Sequence, residues 1–169
     1  MQGFHPVDPR SLCENWFHAL KDEWALLSAG TPDRFNTMVI GWGMAGEMWG
    51  IPVFQAVVRP QRYTDEFMQR EDTFSVAFFG DGYRKELGIC GSKSGRDIDK
   101  MKETGFTPLF EEGGIGYAEA RLVLICKKRY VTAFKKEEFL DSALPEKWYP
   151  TDDFHHVYYG EIVAAYVKD

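Results

Sequence analysis

Tyr117-Ala118-Glu119-Ala120-Arg121-Leu122-Val123-Leu124-Ile125-Cys126-Lys127-Lys128-Arg129-Tyr130-Val131-Thr132-Ala133-Phe134 is the longest β-like run in the sequence. Valine, isoleucine, threonine and tyrosine suit a pleated, half-buried surface. The basic triplet Lys127-Lys128-Arg129 within it marks a solvent-facing or bent part. Upstream, Thr73–Phe79 leaves little polar on either face, with Val76 and Phe78 on one side and Ala77 and Phe79 on the other, which predicts a central strand. Trp24–Ala29, Phe35–Trp42 and Ile51–Arg59 read as three earlier strands, and His156–Val167 as a last one, broken at Gly160. Gly43-Met44-Ala45-Gly46-Glu47-Met48-Trp49-Gly50 reads as a glycine-rich reversal joining the second strand to the third.

Helical signals are short by comparison. They cover Ser11–Lys21, Asp65–Arg70 with Thr64 as its cap, Tyr83–Cys90, and Arg96–Thr104 with Gly105 as its stop; Glu137–Leu140 is at most one turn. About six strands with few, short helices do not fit a βαβ alternation. The expectation is a mainly β, antiparallel barrel with helices over its ends, since closure removes bare sheet edges.

The 169 residues suffice for one domain, and no repeat, linker or low-complexity tract divides residues 1–169. Net charge is −6, which argues against nucleic acid and anionic membranes as partners. Aromatics reach 15%, a level that fits β structure, a flat ring ligand or a subunit interface. Cys13, Cys90 and Cys126 are widely spaced, so neither a disulfide framework nor a metal site is indicated. Residues 1–10 lack the apolar core of a signal peptide, and no apolar run is long enough to span a bilayer, so a cytoplasmic location is expected.

Chemistry concentrates in Gly91-Ser92-Lys93-Ser94-Gly95-Arg96-Asp97-Ile98-Asp99-Lys100, read as a turn that opens a helix. Unpaired backbone N–H groups and the dipole of a helix start favour an anion. Between Arg84 and Lys102 there are six Lys/Arg against three Asp/Glu, a local excess of three cations in an acidic chain. That suits a small phosphate better than a nucleic acid. An ordinary capped surface helix is the alternative reading of the same ten residues. Gly41 and Gly43 flank Trp42, leaving backbone groups open beside a flat ring. Arg59 and Arg62 stand where the third strand gives way to a helix, as a fork for phosphate or ring carbonyls, or as arginines snorkelling over aromatics. His155 and His156 alternate sides, so at most one faces a site; a structural hydrogen bond is the competing role. No nucleophilic triad, P-loop, zinc motif or dinucleotide fingerprint is present, so any redox chemistry requires a bound cofactor.

Taken in order, Asn36-Thr37-Met38, Trp42-Gly43, Gly50-Ile51-Pro52-Val53, Val58–Thr64, Cys90–Asp97 with Asp99-Lys100, Glu119-Ala120, and Asp153-Phe154-His155 with Gly160-Glu161-Ile162 resemble the flavin reductase-like family of FMN-binding split β-barrels, in its flavoredoxin-like branch. The resemblance spans roughly residues 36–167; the helix and first strand within residues 1–35 carry less of it. It implies a six-stranded Greek-key split barrel with short peripheral helices, a homodimer, and one FMN per subunit near the dimer interface. By resemblance, Asn36, Thr37 and Met38 line the flavin, and Trp42 with Gly43 meets its ring edge. Arg59, Arg62 and Thr64 hold the ribityl-phosphate side or the ring carbonyls, while Ser92, Lys93, Ser94, Gly95, Arg96 and Lys100 form the phosphate turn. His155, the one candidate catalytic side chain, sits near the ring. Gly41 stands where relatives often carry serine and Phe154 where many carry tyrosine, and His156 has no assigned role. The implied activity is hydride transfer from NAD(P)H to flavin and onward electron transfer. The alternative is a flavoredoxin-like electron carrier serving a redox protein partner without its own NAD(P)H turnover.

Overall fold

The computed structural model describes every residue from Met1 to Asp169. Ten strands form, all paired antiparallel. They are β1 (Phe4–Val7), β2 (Ala25–Thr31), β3 (Arg34–Ile40), β4 (Gly43–Met48), β5 (Ile51–Val58), β6 (Thr73–Phe78), β7 (Pro108–Glu111), β8 (Gly114–Tyr117), β9 (Leu122–Ala133) and β10 (His156–Lys168). The main sheet runs β3-β2-β6-β9-β10-β5-β4, with β1 added along β10, while β7 and β8 form a separate hairpin.

The mainly β, antiparallel expectation therefore holds, and the count of six strands is corrected upward. Three of the additional strands, β1, β7 and β8, have only four residues each, too few for a period-2 signal to emerge. The fourth, β4, was hidden in the glycine-rich reversal. Its Gly-Met-Ala-Gly-Glu-Met sequence has no β-branched residue, and pairing with β5 imposes the strand. The reversal shrinks to Trp49-Gly50, both at positive φ (55° and 72°), the backbone twist that suits a tight hairpin.

Central strands are covered on both faces. Leu27, Val76, Phe78, Leu122, Leu124 and Cys126 join a core with Phe54, Met68 and Tyr158. The alternate residues Leu26, Ala77, Phe79, Val123 and Ile125 pack against Leu87, Cys90, Phe106 and Tyr117 on the other side. The near-continuous apolar runs of β6 and β9 follow from that double burial.

Strand β10 joins the two halves of the sheet. It pairs with β9 along almost its whole length, with β5 over His156–Glu161, and with β1 over Ala165–Lys168. Register shifts at Tyr159/Gly160 and Ile162/Ala164 bend it. The break read at Gly160 is thus a bulge inside a continuous strand. A Cβ there would lie 2.6 Å from the Phe74 ring and 2.7 Å from Cys126.

The helices are short. Asn15 caps α1 (Trp16–His18), which widens into a π turn over Ala19–Glu23, so the helix expected from Ser11 starts later. Helix α2 (Tyr63–Arg70) begins after Arg62, and Thr64 lies within it instead of capping it. Helix α3 spans Arg84–Ser92 and α5 spans Ala143–Trp148; residues Lys136–Glu138 make only a 3-10 turn. The helix expected from Arg96 begins only at Lys100 as α4 (Lys100–Thr104). Asp99 caps it by accepting from the Met101 and Lys102 amides, and Gly105 closes it at φ 75°. No helix is long and apolar enough to cross a membrane.

Candidate functional site

Two cavities meet beside the C-terminal half of β3, and Met38 and Arg62 line both. The first, of about 210 Å³, is walled by Met38 to Trp42, Val57, Arg59, Trp148 and His155. The second, of about 360 Å³, is polar: Asn36, Gln61, Arg62, Tyr63 and Thr64 face Cys90, Lys100 and the turn from Ser92 to Arg96. Four cations, Arg62, Lys93, Arg96 and Lys100, and no carboxylate line it. In a chain of net charge −6 this is a local anion-attracting hollow. The pair forms one cleft with an aromatic end and a cationic end.

Local sequence explains the polar end. Asn36 is buried on β3, and its Nδ2 donates to Thr64 Oγ1 at 2.8 Å, tying the strand to the first turn of α2. Gly95 passes directly over that amide. A Cβ on Gly95 would sit 2.0 Å from Asn36 Oδ1, so only glycine permits the approach. Ser94 Oγ accepts from the Arg96 amide, rounding the turn, and Ser92 Oγ donates to the Gly88 carbonyl in the last turn of α3. Lys100 is buried, and its Nζ donates to the carbonyls of Thr37 (2.6 Å) and Cys90 (2.8 Å). Burial lowers the Lys100 pKa from the usual lysine value. Arg62 donates to the Gly91 carbonyl at 3.2 Å, and Arg96 lies over Tyr63 while pairing with Glu66. The exposed Lys93 approaches Glu103 at 3.7 Å.

The cationic turn is therefore not a helix start. The five-residue α4 opens on Asp99, whose carboxylate already accepts from its first amides. What gathers around the polar cavity is loop backbone, side chains and the N-terminal turn of α2.

At the aromatic end, Trp42 is 42% exposed and packs edge-on against Trp148, with ring centroids 5.0 Å apart. Trp42 also lies 5.3 Å from His155. Arg59 pairs with Asp153 and donates to the Trp148 carbonyl at 2.6 Å, so its fork holds the segment carrying α5 over the cavity. Asp153 also accepts from Gln61 at 2.6 Å, and the Arg59 guanidinium leads in holding its carboxyl down at about 2. His155 is only 8% exposed, and its Nδ1 meets the Tyr149 hydroxyl at 2.8 Å. Burial, reinforced by Arg59, lowers the His155 pKa to about 4.

That shift has a signed consequence. Between pH 6.5 and about 4 the unfolded chain binds a proton at this position that the folded chain refuses, so folding stability falls as pH drops through that window. One pKa unit is about 1.4 kcal/mol, and the cavity mouth admits solvent, so about 2–3 kcal/mol is expected from this group. Urea unfolding of wild type and of His155→Gln at pH 7 and pH 4.5 checks it. The variant, which does not titrate there, should lose that much less; equal losses would dismiss the assignment.

Residues 17–169 match the sequence profile of the flavin reductase like domain. The chain belongs to this flavin reductase-like family. Among solved structures it is similar to a flavoredoxin from Methanosarcina acetivorans, at 26% identity and a TM-score of 0.67 over 87% of this chain and 69% of that one. It is similar also to an FMN-binding protein from Thermus thermophilus with bound p-hydroxybenzaldehyde (19%, TM-score 0.70, covering 98% and 82%). A third is the Streptomyces globisporus C-1027 NADH:FAD oxidoreductase SgcE6 in complex with NAD and FAD fragments (15%, TM-score 0.63, covering 85% and 73%). A search of curated protein sequences returned no match. The fold is the split barrel of the flavin reductase-like family.

Within this flavin reductase-like fold the sequence-read residues divide. Asn36, Met38, Arg62, Thr64, Ser92, Lys93, Ser94, Gly95, Arg96 and Lys100 gather around the polar cavity, and Trp42, Arg59 and His155 around the aromatic one. Thr37 does neither. Its hydroxyl turns into the core toward Ser28 (2.9 Å) and the Leu27 carbonyl (3.2 Å), and only its backbone serves the cleft, through Lys100. Gly43 lies at a neighbouring apolar hollow with Trp16, Phe17 and Met44. His156 faces away, with Nδ1 2.9 Å from Asp65 on α2. Trp148 and Tyr149 escaped the sequence reading, and Gln61, though part of the Val58–Thr64 motif, was given no role there. The only signal for the first two was the density of aromatics between Phe134 and Phe154, which has no helical or strand period.

Proposed function

We propose that this chain is an FMN-dependent oxidoreductase of the flavin reductase type. It takes a hydride from NADH or NADPH and passes electrons onward to free flavin or a redox protein. The observation that carries the reading is the two-ended cleft. An apolar slot walled by Trp42, Trp148 and Met38 adjoins a hollow lined by four cations and no carboxylate, the pairing that a flat ring with a phosphate tail requires. The contact of Gly95 on Asn36 fits this, since it keeps the turn close enough for its backbone and hydroxyls to reach a ligand.

In this reading Ser92, Ser94, the Gly95 backbone, Lys93, Arg96 and Arg62 hold the phosphate, while Lys100 braces Thr37 against Cys90 behind it. Met38, Trp42 and Trp148 exclude water from the ring, and Arg59 keeps Trp148 in place. His155 touches the ring as a neutral hydrogen-bonding group. Bound FMN supplies a ring that accepts a hydride and stores an electron pair. The chain needs no general base of its own, because hydride transfer from a dihydronicotinamide moves no separate proton. One flavin per single-domain chain is proposed, in a homodimer supported by the exposed apolar residues Met44, Met48 and Trp49 at the edge strand β4 and its turn.

The 26% identity to a flavoredoxin favours a second reading, an electron carrier without nicotinamide turnover. Visible spectra separate the two. FMN added to purified protein should show a perturbed flavin absorption that bleaches anaerobically on NADH or NADPH. Bleaching only by dithionite would leave the carrier, and no spectral change on adding FMN would sink both.

A further inference from the structure

Tyr149 is buried, at 5% exposure, and belongs to none of the residues read from sequence. It sits in a small aromatic cluster with Phe134, Phe139 and Phe154 that anchors the segment leading into β10. Its hydroxyl has one partner, His155 Nδ1 at 2.8 Å. His155 Nε2 has no protein partner, although the residue is more than nine-tenths buried and lines the aromatic cavity.

Proton counting settles the direction of that hydrogen bond. A phenol O–H buried without an acceptor costs about 1–3 kcal/mol. The sole acceptor within reach of the Tyr149 proton is Nδ1. If Nδ1 carried the imidazole proton, the Tyr149 hydrogen would be stranded among aromatic rings, and Nε2 would be a bare lone pair at the cavity. With Tyr149 donating, Nδ1 accepts, and the single proton of the neutral imidazole resides on Nε2. Burial keeps both groups neutral near pH 7, raising Tyr149 and lowering His155. Arg59, 5.0 Å from the Tyr149 ring centre, adds a charge that discourages an imidazolium.

The geometry points to Tyr149 as a positioning residue: it locks His155 in the Nε2–H tautomer, so that the aromatic end of the cleft offers its ligand a neutral hydrogen-bond donor. The ligand group it selects is a heteroaromatic carbonyl or ring nitrogen with a free lone pair. Identifying that ligand as flavin rests on the function proposed above; the tautomer does not.

The experiment uses Tyr149→Phe, which keeps the ring and its packing and removes only the hydroxyl. Long-range ¹H–¹⁵N spectra of the flavin-free protein at pH 7 read the His155 tautomer directly. Wild type should show the Nε2–H form, and Tyr149→Phe a mixture with substantial Nδ1–H. FMN titration of the same proteins should show a three- to ten-fold weaker dissociation constant for Tyr149→Phe. The double variant Tyr149→Phe/His155→Phe should be no weaker than His155→Phe alone. A wild-type Nδ1–H tautomer, an unchanged tautomer in Tyr149→Phe, or additive effects of the two substitutions would each overturn the role. If wild type binds no FMN at all, the functional reading fails while the flavin-free spectra still decide the tautomer.

Discussion

Replacing Asp65 by alanine should remove about 3–5 kcal/mol of folding stability. Asp65 is 1% exposed in the first turn of α2. Its carboxylate accepts from the Tyr158 hydroxyl (2.7 Å) and Gln69 Nε2 (2.6 Å) and meets His156 Nδ1 at 2.9 Å. Burial and then Asp65 itself push the Tyr158 phenol far above its usual range, so the phenol stays a donor. Alanine would strand that buried hydroxyl and the imidazole at once. Asp65→Asn keeps an acceptor for Tyr158 and should cost only about 1–2 kcal/mol. Urea denaturation of the three proteins measures this, and a loss below about 1 kcal/mol for the alanine variant would mean that the carboxylate is not engaged. The substitution should also reach the cleft, because the preceding residue, Thr64, holds Asn36.

The second large effect is on ligand affinity. Gly95→Ala should weaken FMN binding at least tenfold, about 1.4 kcal/mol or more, while leaving the barrel folded. The new Cβ would overlap Asn36 Oδ1 at 2.0 Å. Either Asn36 turns away and abandons Thr64, or the turn from Ser92 to Arg96 lifts off the cavity. Both outcomes spoil the polar end without touching the core. Ser94→Ala, which deletes only one hydroxyl and its bond to the Arg96 amide, should do less. Fluorescence titration with FMN compares them, and a Gly95→Ala protein binding as tightly as wild type would remove the turn from the site.

Much of this was legible in the sequence because the signals were local. Long apolar runs announced β6 and β9, and the ordered motifs from Asn36 to His155 announced the family. Trp42 and Ser94, which touch the cleft through their own strand end or turn, could be named from neighbouring residues, whereas Met38 entered only through the family resemblance. Tertiary pairing hid the rest. β4 is a strand only because β5 supplies its partners, and Thr64 lost its expected cap role to an amide twenty-eight positions upstream. Thr37 sits in a motif whose alternation turns its hydroxyl inward, a consequence of which face of β3 the sheet buries. Asp65 read as an ordinary acid in a helix's first turn, since nothing local says that Tyr158 and His156 will close over it. Tyr149 needed a fold that brings the end of α5 against the start of β10.

The position of β10 also bears on how the chain can be made. Until His156–Lys168 has left the ribosome, β4 and β5 have no neighbour linking them to β6 and β9, and β1 has no partner at all. Its sequence-distant pairings must form late and at high loop-closure entropy, which slows folding. Nascent chains halted before residue 156 should therefore stay protease-sensitive and chaperone-bound, and the cleft, whose His155 immediately precedes this strand, should form only in the final cooperative step.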